Sequence, residues 1–269
     1  MGYLNESLPE NKRLLQEGKN KKGCWMRIID YSAYSDITVQ FMDENRYTTH
    51  TTYGNFLNGS VKNKFHPVYG FHGYMGDGKY STVFNDNSPT AFNIWSKMHQ
   101  RSLNYDGRHP AYSDVSVSRI WWDFQNFHEW FDEKYYKVDG ELMSLDKDIK
   151  FPGNRVYSPE NCIIIPLRLN DLFVSGNQIN KTNKSDLPKG VSIRVNPINI
   201  TYRATVQSIN KFGETKLVQK VFKTLEEARD FYIEVRITSN KMIAELYKSK
   251  IPTEVYNAII NYRDPEWYI

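Results

Sequence analysis

The chain is poor in cysteine: Cys24 and Cys162 are its only two in 269 residues. They lie far apart and neither has a Cys-x-x-Cys partner. That excludes a disulfide framework and a cysteine zinc site, and fits a reducing compartment. Long apolar runs are missing as well. Nothing approaches the roughly 18 residues of a membrane span, so no membrane partner is expected. Met1 to Lys22 is polar and charged and lacks the apolar stretch of a signal peptide. It reads as a charged, poorly ordered arm or a short helix, and the protein is expected in the cytoplasm. Internal repeats and low-complexity tracts are absent too.

Charge of one sign is scarce overall, with a net of only +4. Its distribution is more telling. Lys181 to Lys223 holds nine Lys/Arg against Asp186 and Glu214, a local net of +7, which leaves −3 for the rest of the chain. Such an excess is the footprint of a phosphate-backbone binder, or of a solvated basic face. Aromatics, in contrast, are plentiful: 14% of the chain, with 19 Tyr and 6 Trp.

The pattern along the chain implies an α+β protein in three parts after the arm of residues 1–22. Residues 23–86 carry short β-like runs, Met26–Ile29 and Ile37–Phe41, among turn-marking glycines, and predict a small β-rich domain. The stretch Val68 to Gly78 is glycine-rich, but it lacks the Gly-Lys-Ser/Thr ending of a phosphate loop. Residues 87–176 begin with two helical stripes, Ala91-Trp95-Met98 and Trp121-Phe124-Phe127-Phe131, read as helices with aromatic inner faces in the core. Lys137 to Val174 then reads strand–loop–strand–helix. Past a polar linker, residues 186–269 show period-two runs at Val191–Val195, Tyr202–Val206 and Lys216–Val221, a three-stranded antiparallel meander. Thr224 and Glu227 form a capping box opening a helix to about Arg236 or beyond. A second helix is expected before Pro252.

Chemistry concentrates in the strand–loop–strand–helix. A strand ends in Asp146-Lys147-Asp148, a turn-rich loop returns through Ser158-Pro159-Glu160-Asn161-Cys162, and a helix opens near Pro166. A carboxylate from the strand end and an amide from the helix are hard oxygen donors of the kind Mg²⁺ takes. An ion held that way, completed by water and a scissile phosphate, stabilises phosphodiester displacement. In isolation Asp146 and Asp148 read as ordinary turn or capping carboxylates.

The run Leu145-Asp-Lys-Asp148, Tyr157-Ser-Pro-Glu-Asn-Cys162 and Asn170 resembles the phage and prophage HNH (ββα-metal) endonucleases. Trp95, Met98, Arg101, Pro110-Ala-Tyr112, Val117, Trp122 and Phe124 lie upstream in the same pattern, and the likeness covers about residues 90–174. It implies Asp146 and Asn170 as ligands of Mg²⁺ or another divalent cation, and Asn161 as a brace of the loop. It also implies the cytoplasm of an infected bacterial host. At the general-base position the family's histidine is replaced by Lys147. The six histidines, at 50, 66, 72, 99, 109 and 128, all lie outside the finger. A lysine of ordinary pKa is protonated at neutral pH and accepts no proton from water. A Lys147 whose pKa is lowered by burial, Asp148, or His99 and His109 folding back are the substitutes to be tested.

Lys189-Gly-Val191, Tyr202-Arg-Ala204, Phe222-Lys-Thr-Leu-Glu-Glu-Ala228 and Tyr232 resemble the APETALA/ethylene-response-factor DNA-binding domain over about residues 187–240, with a longer turn between the second and third strands. The likeness implies a sheet laid in the major groove of double-stranded DNA, with Arg194, Arg203, Lys216 and Lys220 as contacts. Two functions follow as expectations. One is a metal-dependent DNA endonuclease or nickase using Asp146, Lys147, Asp148 and Asn161. The alternative is a catalytically inactive relative that acts on DNA or on a host protein as a regulator or counter-defence factor.

Overall fold

A computed structural model of the chain describes residues 5–70, 72–82, 88–103, 114–175, 187–196 and 199–267. The fold is α+β, and the chain divides into two compact units, residues 1–89 with 122–128 and residues 90–121 with 129–269.

The first unit is built on an antiparallel sheet of β1 (Glu17–Lys19), β2 (Trp25–Ala33), β3 (Asp36–Phe41) and β4 (Thr48–Thr51), in that order. Alternation sends Met26 and Ile28 of β2 and Ile37, Val39 and Phe41 of β3 to one face, where all five are fully buried. Tyr53 and Phe56 of the short helix α1 (Tyr53–Leu57), with Val61, close that core. The segment expected as a charged arm is built into this unit instead. Ile28 N–H donates to Gln16 O at 3.0 Å and Leu15 N–H to Ile28 O at 2.9 Å, continuing the ladder of β1. The Arg13 guanidinium sits 4.3 Å from the centre of the Tyr53 ring and donates to the Tyr31 hydroxyl. Aromatic faces attract a cation, which anchors the arm's charge rather than leaving it in water.

The second unit begins with α2 (Ser88–Leu103), whose Ala91, Trp95 and Met98 are buried as their spacing predicts. Trp95 Nε1–H donates to Trp121 O at 2.7 Å, and the Trp121 ring meets edge-on at 4.8 Å that of Trp130 on α3 (Phe124–Lys134). The β6 strand (Met143–Asp146) pairs antiparallel with β8 (Ile163–Pro166), and α4 (Leu167–Ser175) follows at once. Between them β7 (Val156–Tyr157) pairs in parallel with β5 (Ser116–Val117). The expected strand–loop–strand–helix is therefore present, with β7 added inside its loop.

The C-terminal meander is β9 (Val191–Val195), β10 (Ile200–Ile209) and β11 (Thr215–Phe222), with β10 central. The helix α5 (Leu225–Tyr247) packs across it, opened by the Thr224–Glu227 capping box. No glycine or proline interrupts α5, so it runs through the region where a second helix was expected. The second helix, α6 (Thr253–Asn261), starts after Pro252, not before it. Proline fits there because a helix's first residues have no intrahelical use for an N–H. Ile163, Ile165, Leu169 and Phe173 share one core with Val191, Ala204, Val206, Tyr232, Ile243 and Trp267. The finger and the meander therefore stabilise each other.

Gly190 fixes the entry to β9. Its φ is +76°, and a Cβ there would lie 2.1 Å from the Tyr232 ring and 2.9 Å from Thr205 O. Only glycine fits that approach.

Candidate functional site

In the finger loop, Asp146 closes β6 and turns its carboxylate back on the chain. Its Oδ1 accepts from Asp148 N–H at 2.9 Å and Ile149 N–H at 2.7 Å. The residue is 8% exposed, and burial raises its carboxyl to about 6, against the pull of those two N–H bonds. Removing a carboxylate from water disfavours its charged form.

Lys147 is buried as well. Its Nζ lies 2.6 and 2.7 Å from the two carboxylate oxygens of Asp148 and 3.3 Å from Asn154 O. Three acceptors use the three N–H bonds of an ammonium. Lys147 is thus a charged strut of the loop, and the Asp148 carboxylate is occupied by it. Both candidate substitutes at this position are therefore bonded to each other. His99 is fully buried with Nε2 3.2 Å from Trp121 O, and His109 lies outside the described residues.

The loop has a hub that the sequence reading passed over. Asn154 Nδ2 donates to Lys147 O and Val156 O, both at 2.8 Å. Its Oδ1 accepts from Asn161 Nδ2 at 3.0 Å and Val156 N–H at 3.2 Å. Asn161 also donates to Val156 O at 3.3 Å. The Asn154–Asn161 pair thus closes the loop on itself. An asparagine following Gly153 in a turn is ordinary turn composition, so no sequence signal marked it.

Asn170 lies on α4 and donates from Nδ2 to Ser144 Oγ at 3.2 Å. Ser144 and Asp146 are two apart on β6 and so share a face. The Asn170 Oδ1 is buried with no hydrogen-bond partner. An orphaned acceptor on the face that carries a buried carboxylate matches the donor chemistry of a hard cation. Asp146 and Asn170 would hold it, and the ion would supply charge stabilisation to a bound phosphate. Among the described residues no group of three or more His, Cys, Asp or Glu side chains is placed to hold a metal.

The second candidate surface is the meander. Strand register assigns its faces, because residues directly opposite in an antiparallel pair project to the same side. Val191, Ala204 and Lys220 are in one such row, and Ala204 is fully buried on the α5 side. Lys216 pairs with Ser208, two rows along, and lies on that side too. Lys220 Nζ stands 5.2 Å from the centres of both the Phe222 and Phe231 rings, and Phe231 belongs to α5. Arg203 pairs with Ser192 and Val221, and Arg194 with Thr201, on the opposite side. The four expected contacts are split: Arg194 and Arg203 project from the face away from α5, Lys216 and Lys220 from the edge of the helix face.

The face away from α5 also carries Thr205, Gln207 and Gln219, with Leu217 and Val221 half exposed at 56% and 50%. Gln219 Nε2 donates to Thr205 Oγ1 at 3.4 Å across it. Neither Arg194 nor Arg203 forms an ion pair among the described residues. Comparisons with protein-family models, with curated proteins and with solved structures find no match to this chain.

Proposed function

We propose that this protein binds double-stranded DNA through the open face of the β9–β11 sheet, and that its HNH-like finger is a catalytically silent support for that sheet. The observation that carries the reading is the strand register. It gathers two arginines, hydroxyls, amides and two apolar side chains on the face turned away from α5. Arginine grips guanine edges or phosphate in a fork, glutamine and threonine bond to bases, and Leu217 and Val221 can meet thymine methyls. The resemblance to the APETALA-type domain agrees in laying a three-stranded sheet on the duplex.

Silence of the finger rests on Lys147. An ammonium saturated by Asp148 and Asn154 O cannot take a proton from water. A divalent cation on Asp146 and Asn170 would then bind phosphate without activating a nucleophile. The test is a gel shift of duplex DNA at two salt concentrations beside a supercoiled-plasmid assay with Mg²⁺ and with EDTA. Binding that weakens steeply with salt and leaves the plasmid intact is expected. Mg²⁺-dependent nicking would restore the endonuclease reading, and loss of all duplex binding would remove both. A host protein as the target would then be the reading to pursue.

A further inference from the structure

The first unit contains a cavity of about 500 Å³ whose lining has no part in the DNA reading. Lys21, Lys22, Lys62 and Lys64 line it, together with Val61, Val68 and Met75, and no acidic residue does. Lys64 is bonded to Asp77 at 2.7 Å. Lys21, Lys22 and Lys62 form no ion pair among the described residues.

The walls are tied together. Asn20, 2% exposed, accepts on Oδ1 from the N–H groups of Lys22 at 3.0 Å and Cys24 at 2.9 Å. Its Nδ2 donates to Val61 O at 3.1 Å. Lys21 N–H donates to Gly59 O at 2.8 Å, and Gly76 N–H to Lys64 O at 3.1 Å. The two lysine-bearing segments and the Met75 wall are therefore held by hydrogen bonds before any ligand arrives. Preformed, largely apolar cavities of a few hundred cubic ångströms with a few polar groups are the usual form of small-molecule sites.

Charge complementarity identifies the occupant. Lys21, Lys22 and Lys62 line the cavity with no ion pair among the described residues, while Asp43 is bonded to Asn63 and Asp77 to Lys64; three such ammonium groups exceed what one carboxylate would neutralise. A phosphomonoester, with a charge of roughly −1.5 to −2 at neutral pH, matches them. Inorganic phosphate would leave the carbon wall of Val61, Val68 and Met75 unused. We propose that this cavity binds an organic phosphomonoester of nucleotide size, its phosphate on Lys21, Lys22 and Lys62 and its flat apolar body on Val61, Val68 and Met75.

Calorimetric titration of the full-length chain with adenosine 5′-monophosphate, adenosine and inorganic phosphate tests this. Saturable binding of the monophosphate is expected, with adenosine and phosphate each at least about tenfold weaker. The combined Lys21→Ala, Lys22→Ala, Lys62→Ala variant should lose at least about tenfold, since all three side chains are exposed and charge-dependent binding follows their removal. Val68→Asp, at a half-exposed position, should weaken the monophosphate without touching the lysines. Absence of saturation at millimolar ligand, inorganic phosphate binding as tightly as the monophosphate, or unchanged affinity in the triple variant would each overturn the proposal. Duplex DNA binding by the same variants reads the sheet separately, so either proposal can fail alone.

Discussion

The finger loop and the open face of the meander both carry polar, charged side chains, yet they use them in opposite ways. In the finger, Lys147, Asp148, Asn154 and Asn161 bond to one another and to the backbone of a single loop. On the sheet, Arg194, Arg203 and Gln207 lie on the face away from α5, and their side chains form no hydrogen bond to the fold among the described residues. A buried polar group must be satisfied or it costs free energy, so its partners show what it is for. The four loop groups are satisfied by the loop itself, whereas Asn170 Oδ1 on α4 is left without a partner, and so, among the described residues, are the side chains of Arg194 and Arg203. The lesson is that a motif's residue types locate a module, while their bonding tells whether the module still has chemistry to offer.

Reversing the charge of the open face should break the comparison most sharply. Arg194→Glu with Arg203→Glu should lower duplex affinity by about 4 kcal/mol, near a thousandfold, taking roughly 1–3 kcal/mol per arginine contact plus repulsion from phosphate. The thermal midpoint should stay close to that of the parent, because neither side chain supports the core. A gel shift beside a melting curve reads both. Unchanged affinity would remove the sheet from the interface.

Next in size is the pH response of the finger. Asp146 titrates near 3.8 in the unfolded chain and at about 6 when folded, chiefly through burial. Between these values the folded chain keeps a proton the unfolded chain has lost. Stability therefore falls as pH rises from about 4 to about 6, by about 3 kcal/mol, and then levels off. Asp146→Asn keeps an oxygen for the Asp148 and Ile149 N–H groups and should remove most of that slope in urea unfolding. Saturating Mg²⁺ should stabilise the parent at pH 7 and not the variant. A parent stability that rises through this window would contradict the buried carboxyl.

Asn154→Ala tests whether the loop is self-contained. It deletes two donated and two accepted bonds, and should cost about 2 kcal/mol of stability at net values near 1 kcal/mol or less per bond. Duplex affinity of the folded variant should be unaltered. A matching loss of DNA affinity would mean the finger touches DNA after all.

How much of this was legible in the sequence depends on range. The Thr224–Glu227 box and the period-two runs of β9 to β11 are local signals, and the structure follows them closely. The helix after Thr224 is expected to about Arg236 or beyond with a second helix before Pro252; with no glycine or proline between Leu225 and Tyr247, α5 instead runs through that region as one helix. In the finger, the order of strand, loop and helix was readable from turn residues and apolar runs. The bonding of Lys147 was not, since it depends on Asn154 O, seven residues away. The split of the basic residues was hidden for another reason. On β11, Lys216, Val218, Lys220 and Phe222 alternate with Leu217, Gln219 and Val221, so each face mixes apolar and polar types. A charge count carries no parity, and register against buried Ala204 was needed to fix it.

That parity yields the smallest effect and the most discriminating one. Lys216→Ala and Lys220→Ala remove charges from the helix side of the edge strand, whereas Arg203→Ala removes one from the open face. If the duplex lies on the open face, each lysine change should cost under about 1 kcal/mol, seen mainly as a small drop in salt dependence. Arg203→Ala should cost roughly 1–3 kcal/mol and also relax base preference at one position. Lys220 additionally covers Phe222 and Phe231, so its removal should lower stability slightly through lost packing of its stem. Equal losses for lysine and arginine would mean that DNA is held by diffuse charge around the edge strand, and the face assigned by register would lose its meaning. Unequal losses in the predicted order would tie affinity to geometry, because the three residues are alike in charge and differ in the direction they point.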